Sequence, residues 1–426
     1  MDYKQELITT IHDFGCDLEH LEARLIHLTK DSPTAVIIPA LYEELERPAL
    51  ATIRDHLATC NFVQTVVICL YAKTLEQYSR AVQFFESLPQ QTLVLWENGP
   101  KVTQVLANLR DRGLDITQFR GKGRAVWLGL GVASLTADAI ALHDADITTY
   151  DRSYPLKLLY PLLEREFGIA FNKAYYARLG SFPRGFHGRV ARLFVAPLLT
   201  ALTEMFGERD YLRYLSAYRY PLSGEFALTS DLALTTRIPS NWGLEVGFLA
   251  EVYRNVAQKR VAQVDLGFFE HKHQAIGNTP EEGLQRMCCD ILTSMLRTLT
   301  EMEQVVVSID HIHTLRVKFR RRAQDFTRQY FVDARFNRID YNRHQEEEAI
   351  ERFEKIIARS GEQYFHDPAG AQIPDWTRAL CVMPDLREQL RDAAEHDATE
   401  SGAIAHAIDP QIPIFAVERD ATSFIQ

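Results

Sequence analysis

Short apolar runs and longer amphipathic segments alternate along the first third of the chain. The apolar runs have the length of buried strands. They are Thr34–Ile38, Thr65–Leu70, Thr92–Trp96 and Ala139–Leu142. The segments between them have helical periodicity. The first ends at about Thr59, and the others are Thr74–Leu88, Val102–Arg110 and Arg124–Ser134. Strands that alternate with helices imply right-handed crossovers, so the pattern predicts a doubly wound, Rossmann-like α/β fold with a mostly parallel sheet.

The pattern changes on both sides of this stretch. Leucines recur at helical spacing before Asp31, and apolar residues recur in the same way over Pro280–Glu303. Charged residues dominate Lys318–Arg359, and we expect the tail from Asp392 to be partly mobile. The pattern therefore predicts three segments. They are a helical segment at 1–31, the α/β domain at 32–275 and a helical C-terminal region at 276–426, which is a candidate dimer contact.

Charge and cysteine content exclude several classes of protein. The chain has 426 residues and a net charge of −10, which argues against a general nucleic-acid binder. The basic run Arg320–Arg322 has acids close behind it and is expected to be a solvated helix face or a subunit contact. The six cysteines show neither Cys-x-x-Cys nor zinc-site spacing. No signal-peptide core and no run of about 18 apolar residues is present, so we expect a soluble, cytoplasmic protein without a membrane partner.

Two aspartates directly after the last predicted strand are the leading candidates for chemistry. Asp144 and Asp146 follow Ala139–Leu142, and ligands of open α/β sheets gather outside the carboxyl ends of the strands. Cations of the Mg²⁺ type are bound by one or two carboxylates together with substrate phosphates. The pair therefore indicates a divalent-cation site, Mg²⁺ or Mn²⁺, that holds a diphosphate. An Asp-x-Asp pair alone is also common in turns and helix caps.

Two further segments are expected at the same edge of the sheet. Pro39-Ala-Leu-Tyr-Glu-Glu44 follows the first strand, where its backbone could edge a base and Glu43 or Glu44 could accept from a ribose hydroxyl. The same acids could simply complement a helix dipole. Gly121-Lys-Gly123 opens a helix, and its lysine could meet a phosphate or a sugar hydroxyl. Neither a dinucleotide fingerprint nor a P-loop is present.

The second half of the α/β domain contains a basic loop and isolated acids. Phe182–Arg189 combines glycines with arginines, which suits a small anionic acceptor, although a solvated loop has the same composition. Glu225 and Glu245 each lie among apolar and small residues, so they are expected to be buried with partners. His271 follows a predicted strand and is a candidate for a further metal ligand.

Seven motifs in this order resemble those of glucosyl-3-phosphoglycerate synthases, which are retaining glycosyltransferases of the GT-A fold. The resemblance extends from about Thr34 to His273. The motifs are Pro39-Ala-Leu-x-Glu-Glu44, Gly121-Lys-Gly123, Asp144-Ala-Asp146, Gly188-Arg-Val190, Pro221-Leu-Ser-Gly-Glu225, Gly243-Leu-Glu-Val-Gly247 and Leu266-Gly-x-x-Glu-His271. The resemblance implies a UDP-glucose donor, a divalent cation and 3-phosphoglycerate as acceptor. The product would be glucosyl-3-phosphoglycerate, a precursor of the compatible solute glucosylglycerate.

The resemblance also divides the α/β domain into a nucleotide-sugar half, which ends near residue 150, and an acceptor half, which follows it. It implies a role for individual residues as well. Homodimerisation is implied as well. Donor binding falls to Pro39, Ala40, Leu41, Glu43, Lys122, Asp144 and Ala145, and metal binding to Asp146 and His271. Acceptor binding falls to Gly188, Arg189, Val190, Glu245 and His273. The catalytic set is Glu245, Lys122 and Asp144, with Glu245 positioning the acceptor rather than attacking the sugar.

Two departures from the family pattern lie on the acceptor side. Ala191 stands where family members carry a small polar residue, and His273 stands where they carry asparagine. A glycerate acceptor or a mannosyl donor therefore stays open, since mannosylglycerate synthases share Asp-Ala-Asp-Ile-Thr. A nucleotidyltransferase would begin with a glycine-rich loop, which is absent after Ile38. A non-catalytic nucleotide-sugar sensor would not need the basic acceptor loop.

Overall fold

A mixed β-sheet forms the centre of the molecule. The computed structural model describes residues 4–181, 184–240, 242–270 and 283–405, and within these ranges nine strands join one sheet. Their bounds are β1 Thr9–Ile11, β2 Thr34–Leu41, β3 Thr65–Tyr71, β4 Gln91–Trp96, β5 Ala139–Leu142, β6 Phe171–Ser181, β7 Arg184–Phe186, β8 Phe226–Thr229 and β10 Val261–Phe269. The two-residue strand β9, Ile238–Pro239, belongs to a second sheet. The order is β1-β10-β6-β8-β5-β2-β3-β4, with β7 paired to β6.

The four strands predicted from the apolar runs form the parallel half of the sheet. Ile37 of β2 lies opposite Val67 of β3 and Leu142 of β5, and both pairings are parallel. The strands β2 and β3 have apolar residues on both faces, as expected where helices cover both sides of a sheet. Strand β3 lies on one side of β2 and β5 lies on the other, so the order in which strands are added to the sheet reverses at β2. Such a switch point leaves a crevice at the carboxyl ends of the strands. The predicted mostly parallel α/β class is confirmed, and β8 is the antiparallel strand between β5 and β6.

The helices of the α/β domain pack on both faces of the sheet. Their bounds are α1 Leu18–Leu28, α2 Pro48–Leu57, α3 Leu75–Phe85, α4 Pro100–Asp111, α5 Lys122–Ala133, α6 Ser153–Leu163, α7 Ala196–Phe206, α8 Asp210–Ala217, α9 Ser230–Thr235 and α10 Leu244–Asn255. Helix α5 is apolar on all sides because it lies on β2 and β3 and is covered in turn by later elements. A wide π-helical turn at Val190–Val195 leads into α7.

The C-terminal region is helical, as predicted. It comprises α11 Gly283–Glu303, α12 Ile309–Phe336, α13 Arg343–His366, β11 Gln372–Ile373, α14 Trp376–Val382 and α15 Leu386–Ala405. Helix α13 packs on both α11 and α12, and α12 also packs on α7. Ser308 and His311 form a reciprocal capping box at the start of α12.

Two sequence-based expectations about the chain ends need correction. The short strand β1 precedes α1 and pairs with β10, and the periodicity analysis missed it because three residues carry too little pattern. The tail from Asp392 was expected to be partly mobile, but α15 continues to Ala405 and packs on β4, α3 and α4. Residues 392–405 are therefore helical and packed, and the partial mobility stays a prediction for 406–426, which lie outside the described residues. Within the part of the chain that the structure describes, no helix is long and apolar enough to cross a membrane.

Candidate active site

A single large cavity of about 1810 Å³ opens at the carboxyl ends of β2, β3, β4 and β5. Most of the site residues predicted from the sequence line it. They are Pro39, Ala40, Leu41, Lys122, Asp144, Ala145, Asp146, Gly188, Arg189, Val190 and Glu245. Residues that are far apart in the sequence therefore meet in one cavity, as the strand-end argument predicts.

Lys122 lies between two carboxylates at the centre of this cavity. Its Nζ is 2.6 Å from Oδ1 of Asp144 and 3.3 Å from Oε1 of Glu245. Burial lowers the pKa of Lys122, but the charges of Asp144 and Glu245 outweigh burial and raise it above its ordinary value, so the ammonium stays protonated. The three side chains thus form a fixed ionic group that can donate to phosphate or sugar oxygens and accept from hydroxyls.

The glycines around Lys122 permit this arrangement. Gly121 has φ +84°, a conformation that L side chains rarely adopt, and it turns the chain into α5. A side chain at Gly123 would collide with the backbone of Pro239, so the start of α5 packs closely on β9. The Gly-Lys-Gly motif therefore has a conformational reason at Gly121 and a packing reason at Gly123, and Lys122 becomes the first residue of the helix.

A buried glutamate lies behind the ionic group. Glu225 is 0% exposed, and its Oε2 accepts a hydrogen bond from the Tyr176 hydroxyl at 2.9 Å. Its Oε1 finds no hydrogen-bond partner among the described residues. Burial and the charge of Asp144 raise the pKa of Glu225. A side chain at Gly224 would collide with the carboxylate of Asp144, so the Ser-Gly-Glu motif both admits Asp144 and adds a second carboxyl group near Lys122.

Asp146 has the surroundings expected of a cation ligand. Burial, together with the negative charges of Asp144 and Glu44, raises the pKa of Asp146 to about 6. A divalent cation would relieve this crowding of carboxylates, and their hard oxygen donors suit Mg²⁺ or Mn²⁺. Within the described ranges, no three His, Cys, Asp or Glu residues are grouped to hold a metal ion. The predicted second ligand His271 and the acceptor residue His273 lie outside the described residues.

The side chains of Glu43 and Glu44 lie in different surroundings. Glu44 lines the cavity and is 8% exposed, whereas Glu43 is not among the lining residues. The Oε1 of Glu43 lies 2.9 Å from Nζ of Lys73 at the surface, and the hydrogen bond from Lys73 lowers the pKa of Glu43. The donor-binding role of Glu43 stays a prediction, and Glu44 is the acid that the structure brings to the cavity.

A second acid and arginine line the cavity at the β4 end. Glu97 is 4% exposed, and its Oε2 is 3.9 Å from Nε of Arg124 in the first turn of α5. Burial raises the pKa of Glu97 to about 7, while the charge of Arg124 opposes the shift. The sequence analysis missed both residues because neither belongs to a motif. Their only signal was position, since Glu97 directly follows a predicted strand.

Gly188 and Arg189, which were predicted to bind the acceptor, also line the cavity. Gly188 has φ +68°, and a Cβ there would lie 2.8 Å from the hydroxyl of Tyr220. Arg189 begins the π-helical turn, a feature that is frequent at functional sites. Its Nε donates to Oε1 of Glu346 at 3.1 Å. Glu346 belongs to α13, so the C-terminal region reaches the cavity.

Arg178 is a further basic residue that sequence reasoning missed. It lies in β6, lines the cavity and donates from NH1 to the Tyr220 hydroxyl at 2.9 Å. The sequence analysis did not place Arg178 near the end of a strand. Strand β6 has 11 residues and continues as far as the basic loop. Arg178 and Arg189 together give the acceptor side a positive character within an acidic protein.

Comparisons with known proteins find relatives that match nearly the whole chain. No family model matches the chain. A glucosyl-3-phosphoglycerate synthase of Methanococcoides burtonii is 47% identical over 400 residues, covering 94% of this chain and 99% of the relative. One of Persephonella marina is 34% identical over 403 residues, covering 93% and 99%.

Solved structures are similar at the level of fold. The glucosyl-3-phosphoglycerate synthase of Mycobacterium tuberculosis in complex with Mn²⁺, UDP and glucosyl-3-phosphoglycerate gives a TM-score of 0.50 at 22% identity, covering 68% of this chain and 87% of that chain. The same enzyme with phosphoglyceric acid gives 0.51 at 23% identity, covering 68% and 88%. At this identity the likeness shows the fold, which confirms the GT-A expectation.

Proposed function

The chain belongs to the glucosyl-3-phosphoglycerate synthase family, and we propose that it transfers glucose from UDP-glucose to 3-phosphoglycerate with retention at the anomeric carbon. The observation that carries the proposal is the ionic group of Lys122, Asp144 and Glu245 beside Asp146 at the carboxyl edge of the sheet. The relatives with 47% and 34% identity match nearly the whole chain, so the proposal covers the chain as a whole.

On the donor side, the strand ends would hold the nucleotide and Lys122 would meet the diphosphate. Pro39, Ala40 and Leu41 edge the cavity with backbone groups and could seat the base. Lys122 is held in place before the reaction, so its charge needs no reorganisation as negative charge develops on the leaving group. Asp144 would accept from sugar hydroxyls while it keeps Lys122 in position.

Asp146, with His271 as the second ligand expected from the sequence, would hold a divalent cation. Crystal structures of the Mycobacterium tuberculosis relative contain Mn²⁺ or Mg²⁺ together with UDP. When bound, such a cation supplies charge stabilisation to the departing diphosphate. The oxygen donors of Asp146 and its crowded neighbours suit that role.

On the acceptor side, Arg189 would bind an anionic group of 3-phosphoglycerate and Glu245 would orient its hydroxyl. The bond between the anomeric carbon and the diphosphate oxygen breaks while a bond to the acceptor hydroxyl oxygen forms. The leaving phosphate, on the same face of the sugar, would take the hydroxyl proton. Glu245 is already engaged by Lys122, which supports a positioning role over attack on the sugar.

A UDP-release assay tests this function. The assay contains Mg²⁺, UDP-glucose and either 3-phosphoglycerate or glycerate, and parallel reactions offer GDP-mannose. We expect UDP release that depends on 3-phosphoglycerate. UDP release with glycerate alone would contradict the phosphate-binding role of Arg189. GDP release from GDP-mannose, without UDP release from UDP-glucose, would contradict the donor. An absence of release with every pair would favour a nucleotide-sugar sensor.

The cytoplasmic location, the division of the chain at 32–275 and 276–426, and the homodimer are part of the same proposal. The C-terminal helices would supply the dimer contact. Light scattering of the purified protein tests the dimer, because the chain mass is 48.8 kDa and a dimer has twice that mass. A mass equal to that of one chain would contradict the proposed homodimer.

A further inference from the structure

We propose that Glu346 is a positioning residue, which the C-terminal region places in the cavity to orient Arg189 toward the anionic group of the acceptor. The inference deepens the acceptor site and rests on the proposed function. Glu346 lies in the first turns of α13, is 4% exposed and lines the cavity. It lies 157 residues from Arg189 in the sequence.

Glu346 binds two arginines at once. Its Oε1 accepts from Nε of Arg189 at 3.1 Å, and its Oε2 accepts from NH1 of Arg192 at 2.8 Å. Arg189 is the residue before the π-helical segment Val190–Val195, and Arg192 lies within that segment, three residues later. A carboxylate that spans two guanidinium groups fixes their mutual position, because charge-assisted hydrogen bonds are short and directional.

Arg192 is the anchor of this arrangement and not a ligand-binding group. Its side chain is 9% exposed, and its Nε donates to the carbonyl of His187 at 2.9 Å. Its guanidinium carbon also lies 4.8 Å from the ring centroid of Tyr330 and 5.4 Å from that of Phe186. These contacts hold Arg192, and Arg192 in turn holds Glu346.

Of the two arginines that contact Glu346, Arg189 is the one that can bind a ligand. Its side chain is 38% exposed and lines the cavity. The contact with Glu346 uses Nε, which carries one of the five N–H donors of a guanidinium group, whereas a phosphate or carboxylate is bound by the fork of donors. Holding an arginine in one rotamer before binding removes much of the entropy cost of ordering it at the moment of binding.

The loop between α12 and α13 keeps Glu346 at this place. Gly185 and Asp340 form an isolated parallel bridge between the basic loop and the α12–α13 loop. The hydroxyl of Tyr341 donates to the carbonyl of Thr327 at 3.0 Å. Asn342 caps α13 by accepting from the backbone of Gln345. The C-terminal region therefore lines part of the cavity, and Glu346 is the residue of this region that pairs with Arg189.

A purely structural role makes a different prediction from a positioning role. If Glu346 only neutralised the buried Arg192, its loss would lower stability and would not distinguish the acceptor from the donor. If Glu346 positions Arg189, its loss raises the KM for the acceptor and leaves the KM for the donor unchanged. The two roles are therefore separated by a comparison of the two KM values.

The experiment measures UDP release by the full-length wild type and by Glu346→Gln, with UDP-glucose and 3-phosphoglycerate each varied in turn. We expect the KM for 3-phosphoglycerate to rise about tenfold or more, because a small misplacement of a binding group is costly. The KM for UDP-glucose and kcat should stay within about twofold. Glu351→Gln is the matched control, since Glu351 lies on the same helix with a side chain that is 60% exposed.

A double-mutant cycle identifies the residue through which Glu346 acts. In an Arg189→Ala background, Glu346→Gln should cause no further loss of kcat/KM for the acceptor, because the group that it orients is gone. Equal and additive losses would overturn the inference, as would an unchanged acceptor KM in Glu346→Gln. A wild type without 3-phosphoglycerate-dependent release would overturn the proposed function, and the inference with it.

Glu346→Asp covers the case in which Glu346→Gln fails to fold. The aspartate keeps the negative charge that the buried Arg192 needs, but it is shorter by one methylene and cannot span both arginines in the same geometry. We expect a folded protein with a raised acceptor KM and an unchanged donor KM. A wild-type acceptor KM in Glu346→Asp would overturn the positioning role.

Discussion

Lys122 occupies a position that local rules disfavour. It is the first residue of α5, where the helix dipole favours negative charge, and it is partly removed from water. Asp144 and Glu245 compensate by placing negative charge beside its ammonium. Residues that break a local preference and are compensated by distant partners are expected at functional sites. The arrangement therefore favours a role for Lys122 in binding or catalysis over a role in folding.

Replacement of Lys122 tests this conclusion. We expect Lys122→Met to lower kcat for UDP release about 10² to 10³-fold, which is the typical loss when one preorganised electrostatic donor is removed. Lys101→Met is the matched control, because Lys101 lies in the first turn of the neighbouring helix α4 and contacts Glu400 at the surface. Its kcat should equal that of the wild type. A Lys122→Met variant with wild-type kcat would contradict the assignment.

Asp146 makes a prediction about cation affinity and pH. Because the pKa of Asp146 is raised to about 6, protons compete with the cation below that pH. We expect the affinity for Mn²⁺ with UDP, measured by electron paramagnetic resonance, to fall as the pH drops from 7.5 through about 6. Asp146→Asn should weaken it at least about tenfold at pH 7.5.

The control for this measurement lies at the opposite end of the same strand. Asp138 precedes β5 and is exposed, so Asp138→Asn should bind Mn²⁺ as the wild type does. Equal Mn²⁺ affinity in Asp146→Asn and the wild type would show that the cation is held elsewhere.

At the scale of elements, strand β5 ends in a buried histidine that makes stability depend on pH. His143 is 0% exposed, neither ring nitrogen finds a hydrogen-bond partner among the described residues, and burial lowers its pKa from 6.5 to about 3. The folded state thus disfavours the protonated ring. This contribution to stability is fully present above pH 6.5 and is lost as the pH falls toward 3.

Replacing His143 with phenylalanine should remove this acid sensitivity. Between pH 7 and pH 5, the free energy of unfolding of the wild type should fall by about 2 kcal/mol more than that of His143→Phe. Urea denaturation at several pH values measures both slopes, and the comparison does not depend on the absolute stability of the variant. Parallel slopes would show that His143 is accessible to protonation in the folded state.

A pair of tryptophans joins the C-terminal region to α5. Trp376 of α14 stacks on Trp127 with ring centroids 4.0 Å apart, and its Nε1 donates to the carbonyl of Trp127 at 2.8 Å. A side chain at Gly131 would collide with Trp376, so α5 offers a notch for that ring. This contact packs the C-terminal region against α5, the helix that begins at Lys122.

Removal of Trp376 should therefore be strongly destabilising. Trp376 is 0% exposed, and we expect Trp376→Ala to lower the free energy of unfolding by about 3–5 kcal/mol, as for large-to-small changes of buried aromatic residues. Phe336→Ala is the control, because Phe336 is 86% exposed and its loss should change stability by about 0.5 kcal/mol or less. Urea denaturation measures both. A change below about 1 kcal/mol in Trp376→Ala would mean that the C-terminal region is only loosely attached.

The elements that the sequence predicts well are those with strong local patterns. The strands β2 to β5 follow from uninterrupted apolar runs, and their parallel order follows from the helices between them. The short strands β1 and β8 could not be predicted, because their stability comes from pairing with distant partners and not from their own few residues. The Gly-Lys-Gly motif was correctly placed at a helix start, since glycine and the following apolar run are both local signals.

At the scale of the whole molecule, the acceptor side is where prediction from sequence was least complete. Arg189 was identified through its motif, but its partner Glu346 lies in a charged run that resembles a solvated helix face. In the structure Glu346 is buried while its neighbours remain at the surface, and nothing in a local charge pattern distinguishes them. The difference arises only when the C-terminal helices fold against the α/β domain.

The C-terminal region packs against the α/β domain at several places. Strand β11 pairs with β9, and α15 packs on the edge strand β4. The hydroxyl of Tyr78 donates to the carbonyl of Val94 at 2.9 Å and also contacts that of Ala394 at 3.4 Å. Covering an edge strand in this way also prevents unwanted strand pairing with other chains.

The central claim is the transfer of glucose from UDP-glucose to 3-phosphoglycerate with retention. The most direct measurement is nuclear magnetic resonance of the products formed by the purified protein with Mg²⁺, UDP-glucose and 3-phosphoglycerate. We expect one new glucoside that carries the phosphate of the acceptor and an α-configured anomeric proton, together with an equal amount of UDP. Free glucose with unchanged 3-phosphoglycerate, or a β-configured glucoside, would contradict the account.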